Sequence, residues 1–298
     1  MEQLESLKRK ISSAEDLHSV VTTMKSLAAV HIREYERAVE ALRDYNRTVV
    51  MGLQIVLKER PETLPISTFE TLHTDHQFGA VIFGSEQGMC GQFNDHIARY
   101  ALEQMERLEV APHQRKVLAL GQRVASSLRG AGQPIDEQVQ FFGTAAGLGA
   151  VMQQVLFTIE DWRTTQAIEQ IVLFYNKPLA GASYEPTSTH LLPLEMSWLR
   201  NLAKQPWESR TLPFYTMPWD QLFTSLLRQY FYVALYRAVV DSLASENASR
   251  LSAMQAAERS IEEHLEELNT LYQRQRQNSI TVELLDIVAG FEALTGTS

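Results

Sequence analysis

At 298 residues, 45% apolar and 21% charged, with a formal charge of −9, the chain has the composition of an ordinary globular protein of one or two domains. Acidity without a basic block argues against phosphate-directed binding of nucleic acid, and the apolar runs fall far short of the roughly 20 residues that span a bilayer. A single cysteine, Cys90, excludes an internal disulfide and a Cys-based zinc site, and the opening MEQLESLKRK lacks the apolar stretch of a secretory signal, so a reducing compartment is expected.

The N-terminal stretch reads as one long helix. The first glycine is Gly52 and the first proline Pro61. Leu7, Ala14, Val21, Ala28, Tyr35, Leu42, Val49 and Val56 recur every seventh position. Leu4, Ile11, Ile32, Val39 and Leu53 fill the second seam row, broken by His18, Lys25 and Asn46. A seam this long predicts a coiled coil, and its polar breaks either fix register or touch a further partner.

The middle of the chain reads as α/β. Ala80–Phe83, Val117–Leu120 and Ile171–Tyr175 are short apolar runs of the kind that form buried strands. Helical stretches near Asn94–Leu108, Gln122–Arg129 and Thr144–Thr158 alternate with them, which predicts a small, mostly parallel sheet. From Leu179 to Pro218 the chain carries Pro186, Pro193, Pro206, Pro213 and Pro218 and reads as a connector, with Leu191–Leu194 a candidate edge strand.

Three features of this region could carry chemistry. Gly84, Gly88, Cys90 and Gly91 lie in a turn, GSEQGMCG, between a strand and a helix, where phosphate loops sit. No Gly-Lys-Ser/Thr follows and the glycine spacing misses G-x-G-x-x-G, so a turn built for packing is the stronger reading. Cys90 would need a base, His96 or His76, to act as a nucleophile, and a small buried thiol is the plainer role. His73, Asp75 and His76 form a loose metal-ligating set without helical His spacing. No cofactor, metal or catalytic residue is therefore expected.

The C-terminal stretch is a second, longer helix. Neither Gly nor Pro occurs from Trp219 to Ala289. Leu251, Met254, Glu258, Ile261, Leu265, Leu268 and Tyr272 alternate steps of three and four, and Ile280, Leu284, Ile287, Phe291 and Leu294 resume the seam after a slip. Glu262, Glu263, Glu266 and Glu267 flank the seam as a solvated face. The expected fold is α/β, with an antiparallel two-helix coiled coil from the terminal helices and a small, mostly parallel α/β domain between them. The expected boundaries are 1–60, 70–218 and 219–298, the first and last pairing as one shaft.

Several blocks resemble the ATP synthase gamma subunit family. Ser245-Glu246-Asn247-Ala248-Ser249-Arg250-Leu251-Ser252-Ala253-Met254 is similar to its S-E-H/N-A-A-R-M-x-A-M signature. Leu271 to Gly290, LYQRQRQNSITVELLDIVAG, resembles its C-terminal block. Gly84 to Asn94, Tyr175-Asn176-Lys177, Leu191-Leu192-Pro193 and Met24-Lys25 match further blocks in order.

The resemblance implies a rotor. The terminal helices would stand inside a ring of three alpha and three beta subunits, with the epsilon subunit and the c-ring at the other end. Carried over by position, Met24, Lys25, Glu246, Arg250, Arg276, Gln277, Thr281 and Glu283 would be coupling contacts with the beta and alpha subunits. The chain would be peripheral, on the cytoplasmic face of a bacterial or archaeal inner membrane.

It also departs from the family. Residues 1–50 hold eight acidic and eight basic side chains where a strongly basic helix is usual. Asp16-Leu17-His18, His31, Leu251 and Gln273 replace common family residues, the pattern of a divergent or alternate ATPase.

Overall fold

The computed structural model describes residues 2–59, 77–141, 145–179, 183–207, 211 and 213–295. Its elements in chain order are α1 (Glu2–Lys58), β1 (Phe78–Phe83), α2 (Phe93–Arg107), β2 (Arg115–Leu120), α3 (Gln122–Gly130) and β3 (Glu137–Val139), followed by α4 (Ala145–Thr165), β4 (Gln170–Leu179), β5 (Ser183–Leu192), α5 (Met196–Lys204) and α6 (Trp219–Thr295). The chain divides into two compact units, one of residues 1–28 with 251–298 and the other of residues 29–250.

The larger unit is built on a five-stranded sheet of order β3-β2-β1-β4-β5. The first four strands run parallel, and β5 runs antiparallel to β4. Strand side chains alternate between faces, and both faces are buried, which is why the strands read as unbroken apolar runs. Phe78, Ala80 and Ile82 of β1 join Val117, Ala119, Val172 and Phe174 in a core with Ile97, Ala101 and Met105 of α2 and Val124 and Leu128 of α3. Their neighbours Val81, Phe83, Leu118, Leu120, Ile171 and Leu173 face the other way. That second core takes Met152 and Trp162 of α4, Tyr35, Val49 and Leu53 of α1, and Phe231, Leu235 and Val239 of α6. Burial of such side chains, at roughly 1.5–3 kcal/mol each, is the main force holding this unit together.

Three elements differ from the sequence reading. The proline-rich stretch from Leu179 to Pro218 is more than a connector, since it contains the ten-residue strand β5 and then α5. The strand is half solvated, so Ser-Tyr-Glu-Pro-Thr-Ser-Thr-His carries no apolar run. Pro186 is tolerated because β5 is an edge with one neighbour and needs fewer ladder donors. The three-residue β3 was also absent from the reading, since three residues give no periodicity.

The smaller unit is an antiparallel helix pair. Gln275 donates to Gln3 at 2.9 Å, His18 lies 3.4 Å from Glu262, and Lys25 lies 2.6 Å from Glu258. The partner number falls as the α1 number rises. The heptad row reports its own burial: Ala14, Val21 and Ala28 are buried here, as are Tyr35, Val49 and Val56 in the larger unit. Small residues on α1 let the helices approach, and Met254 and Leu268 of α6 fill the seam.

Beyond Tyr272 the seam does not shift as expected. It continues through the half-buried Gln275 and Ser279, while Ile280, Leu284 and Ile287 are 47%, 57% and 68% exposed. Gln275 already faces Gln3, so α6 runs past the start of α1 there. The side chains of Phe291 and Leu294, which the sequence placed in the same row, lie outside the described residues.

Candidate functional site

The glycine turn follows β1, and local sterics explain its residues. A Cβ on Gly84 would stand 2.2 Å from Val124 Cβ and 2.8 Å from Asn94 Oδ1, so only glycine fits. Gly91 has φ of +57°, a left-handed conformation that glycine adopts without strain. Ser85 N–H donates to Asn94 Oδ1 at 2.9 Å, Asn94 Nδ2 donates to Ser85 Oγ at 2.8 Å, and Ser85 Oγ donates to Gln87 O at 2.7 Å. The turn is thus tied to the first turn of α2.

The turn also reaches across to α3. The free N–H of Gln122, at the start of α3, is taken by Glu86 Oε2 at 3.1 Å. An internal carboxylate occupies the position at a helix N-terminus that an anion would otherwise use. Cys90 is buried, with Ser85 Oγ and Asn94 Nδ2 each 3.6 Å from its sulfur. Burial pushes its thiol pKa up, the opposite of what a nucleophile needs. His96 contacts Gln92 and Tyr184 instead. His73, Asp75 and His76 lie outside the described residues, and no metal-holding group of three His, Cys, Asp or Glu side chains occurs among the described ones.

The segment from Ser245 to Arg250 of α6 closes over this turn. Ser249 Oγ donates to Cys90 O at 2.7 Å, and Arg250 Nη2 reaches Gly88 O at 3.4 Å. Arg250 Nη2 also donates to Glu246 Oε1 at 2.6 Å, and Nη1 to Asn247 Oδ1 at 3.3 Å. Ser245 Oγ donates to Asn176 O at 2.9 Å, and Asn176 Nδ2 in turn donates to Phe93 O. Glu246 and Arg250 are both buried. Burial pushes the Glu246 carboxyl up, and the adjacent guanidinium pulls it back. Tyr35 of α1 is buried nearby, and burial with the Glu246 charge pushes its phenol up to about 12.

The carried-over residues therefore separate into three groups. Glu246 and Arg250 bond each other, and Arg250 also reaches Gly88 O within this chain. Lys25 bonds both carboxylate oxygens of Glu258, at 2.7 and 2.6 Å, with Thr22 Oγ1 donating to the same group at 3.2 Å. Met24 is half-buried beside it. Arg276, Gln277, Thr281 and Glu283 are exposed on α6, and the Thr281 hydroxyl donates to Gln277 O at 2.9 Å. The structure thus brings Glu246 and Arg250 to the glycine turn and leaves the last four on open helix surface.

Sequence reasoning saw Lys25 and Glu258 as separate polar breaks in two apolar seams. Opposite charges at seam positions of helices expected to pair were the available signal. The roles of Ser85, Asn94 and Tyr35 had no signal short of the fold.

The family follows. The chain belongs to the ATP synthase family whose model matches residues 3–294. Within that family its curated relatives are gamma chains. The ATP synthase gamma chain of Allorhizobium ampelinum is 27% identical, with 99% of this chain and 100% of the relative covered. That of Bartonella bacilliformis is 26% identical over the same shares. Among solved structures, the Euglena gracilis mitochondrial ATP synthase OSCP/F1/c-ring assembly contains a chain of the same fold, at TM-score 0.66 and 16% identity, with 99% of this chain and 95% of that chain covered. The central stalk and c-ring structure from Tetrahymena thermophila contains another, at TM-score 0.53 and 21% identity, covering 80% of this chain and 99% of that one.

Proposed function

We propose that this chain is the central-stalk rotor of an F-type ATP synthase. It couples ion translocation through the membrane sector to ATP synthesis or hydrolysis at the beta subunits, and it has no catalytic site of its own. The observation that carries this reading is the antiparallel pairing of the chain's two ends, Gln3 with Gln275 and Lys25 with Glu258. Such a pair is stiff along its axis and presents a different surface in every direction around it. Three like catalytic sites change affinity in turn only if the shaft contacts their states differently, and an asymmetric helix pair supplies that difference.

On this reading the shaft comprises residues 1–60 with 219–298, and residues 70–218 form the body. The partners are three alpha and three beta subunits around the shaft, with the epsilon subunit and the c-ring at the body. The chain is peripheral, on the cytoplasmic face of a bacterial or archaeal inner membrane. No helix among the described residues is long and apolar enough to cross one. Met24, Lys25, Glu246, Arg250, Arg276, Gln277, Thr281 and Glu283 form the coupling surface. Glu246 and Arg250 also lock α6 onto the glycine turn.

Replacing Arg276 and Gln277 together with alanine tests the assignment. Both are exposed, so the variant chain folds normally. In the assembled complex in vesicles, ion pumping per ATP hydrolysed is expected to fall several-fold. Unchanged hydrolysis and unchanged pumping would count against it.

A further inference from the structure

The larger unit holds a cleft of about 290 Å³ that neither the turn nor the coupling surface uses. It lies where α1, α6 and the sheet meet. Its lining includes Arg43 and Asn46 of α1, Arg237 of α6, Tyr175 of β4 and Thr189 of β5. The rest of its wall is aliphatic, with Leu42, Leu173 and Val233 among others, apart from the half-buried ring of Tyr230.

Its charge runs against the composition. The chain has 36 acidic and 27 basic residues, yet two arginines and no carboxylate line this cleft. Among the described residues Arg43 has neither an ion-pair nor a hydrogen-bond partner. Arg237 has only Asp241, with Nε 3.8 Å from the carboxylate, beyond hydrogen-bond range. Burial pushes the Asp241 carboxyl pKa up, and Lys177 as well as Arg237 pulls it back. The Tyr175 and Thr189 hydroxyls lie 3.3 Å apart, leaving donor and acceptor capacity for a third group.

We propose that this cleft binds a phosphate monoester carrying one ring. Two planar guanidinium groups suit the phosphate dianion, which accepts forked hydrogen bonds from each. Asn46 and the hydroxyl pair add neutral donors beside it. The volume exceeds what a bare phosphate fills, and the apolar wall takes the ring. Because the lining comes from α1, α6 and both sheet strands, an occupant would bind these elements to one another and raise the melting temperature of the unit.

Phenyl phosphate is the probe, titrated by calorimetry and by thermal unfolding into the full chain, with phenol and inorganic phosphate as controls. Saturable binding at or below about 1 mM is expected, tighter than for either control. Arg43→Gln and Arg237→Gln should each weaken it about tenfold or more, and Arg43→Lys should restore part of the loss. Both arginines are exposed, so these variants keep the wild-type circular dichroism. Thr189→Val, which alters no charge, should weaken binding less. The exposed Arg99→Gln should change nothing. Three results would overturn the proposal: no saturable binding, binding indifferent to both arginines, or binding through them of anionic lipid vesicles but not of phenyl phosphate.

Discussion

Arg250 and Glu246 form a 2.6 Å ion pair with both side chains at or below 10% exposure. Removing one member of a buried pair leaves the other charge without a counterpart, which costs about 3–5 kcal/mol. Arg250→Met is therefore expected to lower the melting temperature of the larger unit by roughly 6–20 °C, at about 2–4 °C per kcal/mol for this size. Adding Glu246→Leu should recover much of the loss, because two apolar side chains replace two charges. A single variant that melts with the wild type would show that the pair does not hold α6 on the turn. Gly84 tests the other half of the contact. Gly84→Ala places a methyl group 2.2 Å from Val124 Cβ, and overpacking of this kind costs about 1–3 kcal/mol. Combining it with Val124→Ala should relieve part of that loss, and denaturant midpoints would show both effects.

At the scale of elements, the helix pair is held by an apolar seam with one strong polar cross-link. The Lys25 ammonium, hydrogen-bonded to Glu258, holds that carboxyl below its ordinary range. A carboxyl with a lowered folded pKa contributes stability above its unfolded value, and the contribution is lost as pH falls through the folded value. Lys25→Gln should thus be less stable than the wild type at neutral pH, and the two should converge only as pH falls from the ordinary carboxyl range through the lower folded value, where Glu258 protonates in the wild type as well. A difference independent of pH would mean that Lys25 acts through packing alone.

The same elements show what the sequence could and could not reveal. Ala14, Val21, Ala28, Tyr35, Val49 and Val56 were legible because a heptad repeats a single geometric demand over many turns. The buried strands β1, β2 and β4 were legible because both of their faces are apolar. β5 was not, since an edge strand with a wet face has the composition of a loop. Of the candidate site, Gly84 and Gly91 were visible as a turn, but not that Glu86 of this turn accepts from Gln122 N–H at the start of α3, 36 residues further on in sequence. Glu246 and Arg250 were visible as a signature, but only the fold brings Gly88 beneath Arg250 and turns the pair inward. Ile280, Leu284 and Ile287 read as more seam because periodicity does not register where the partner helix begins.

For the molecule as a whole, membership of the ATP synthase family goes with a sheet buried on both faces and with the pairing of the chain's two ends. The exposed apolar side chains from Ile280 to Val288 are costly to leave in water, and a surrounding sleeve of other subunits would cover them. As a rotor, a single copy would stand inside a ring of three alpha and three beta subunits. Native mass spectrometry of this chain co-expressed with the alpha and beta subunits of its own gene neighbourhood measures that stoichiometry directly. The account predicts a complex of three alpha, three beta and one copy of this chain. Assembly of alpha and beta without it, or with several copies, would contradict the rotor reading.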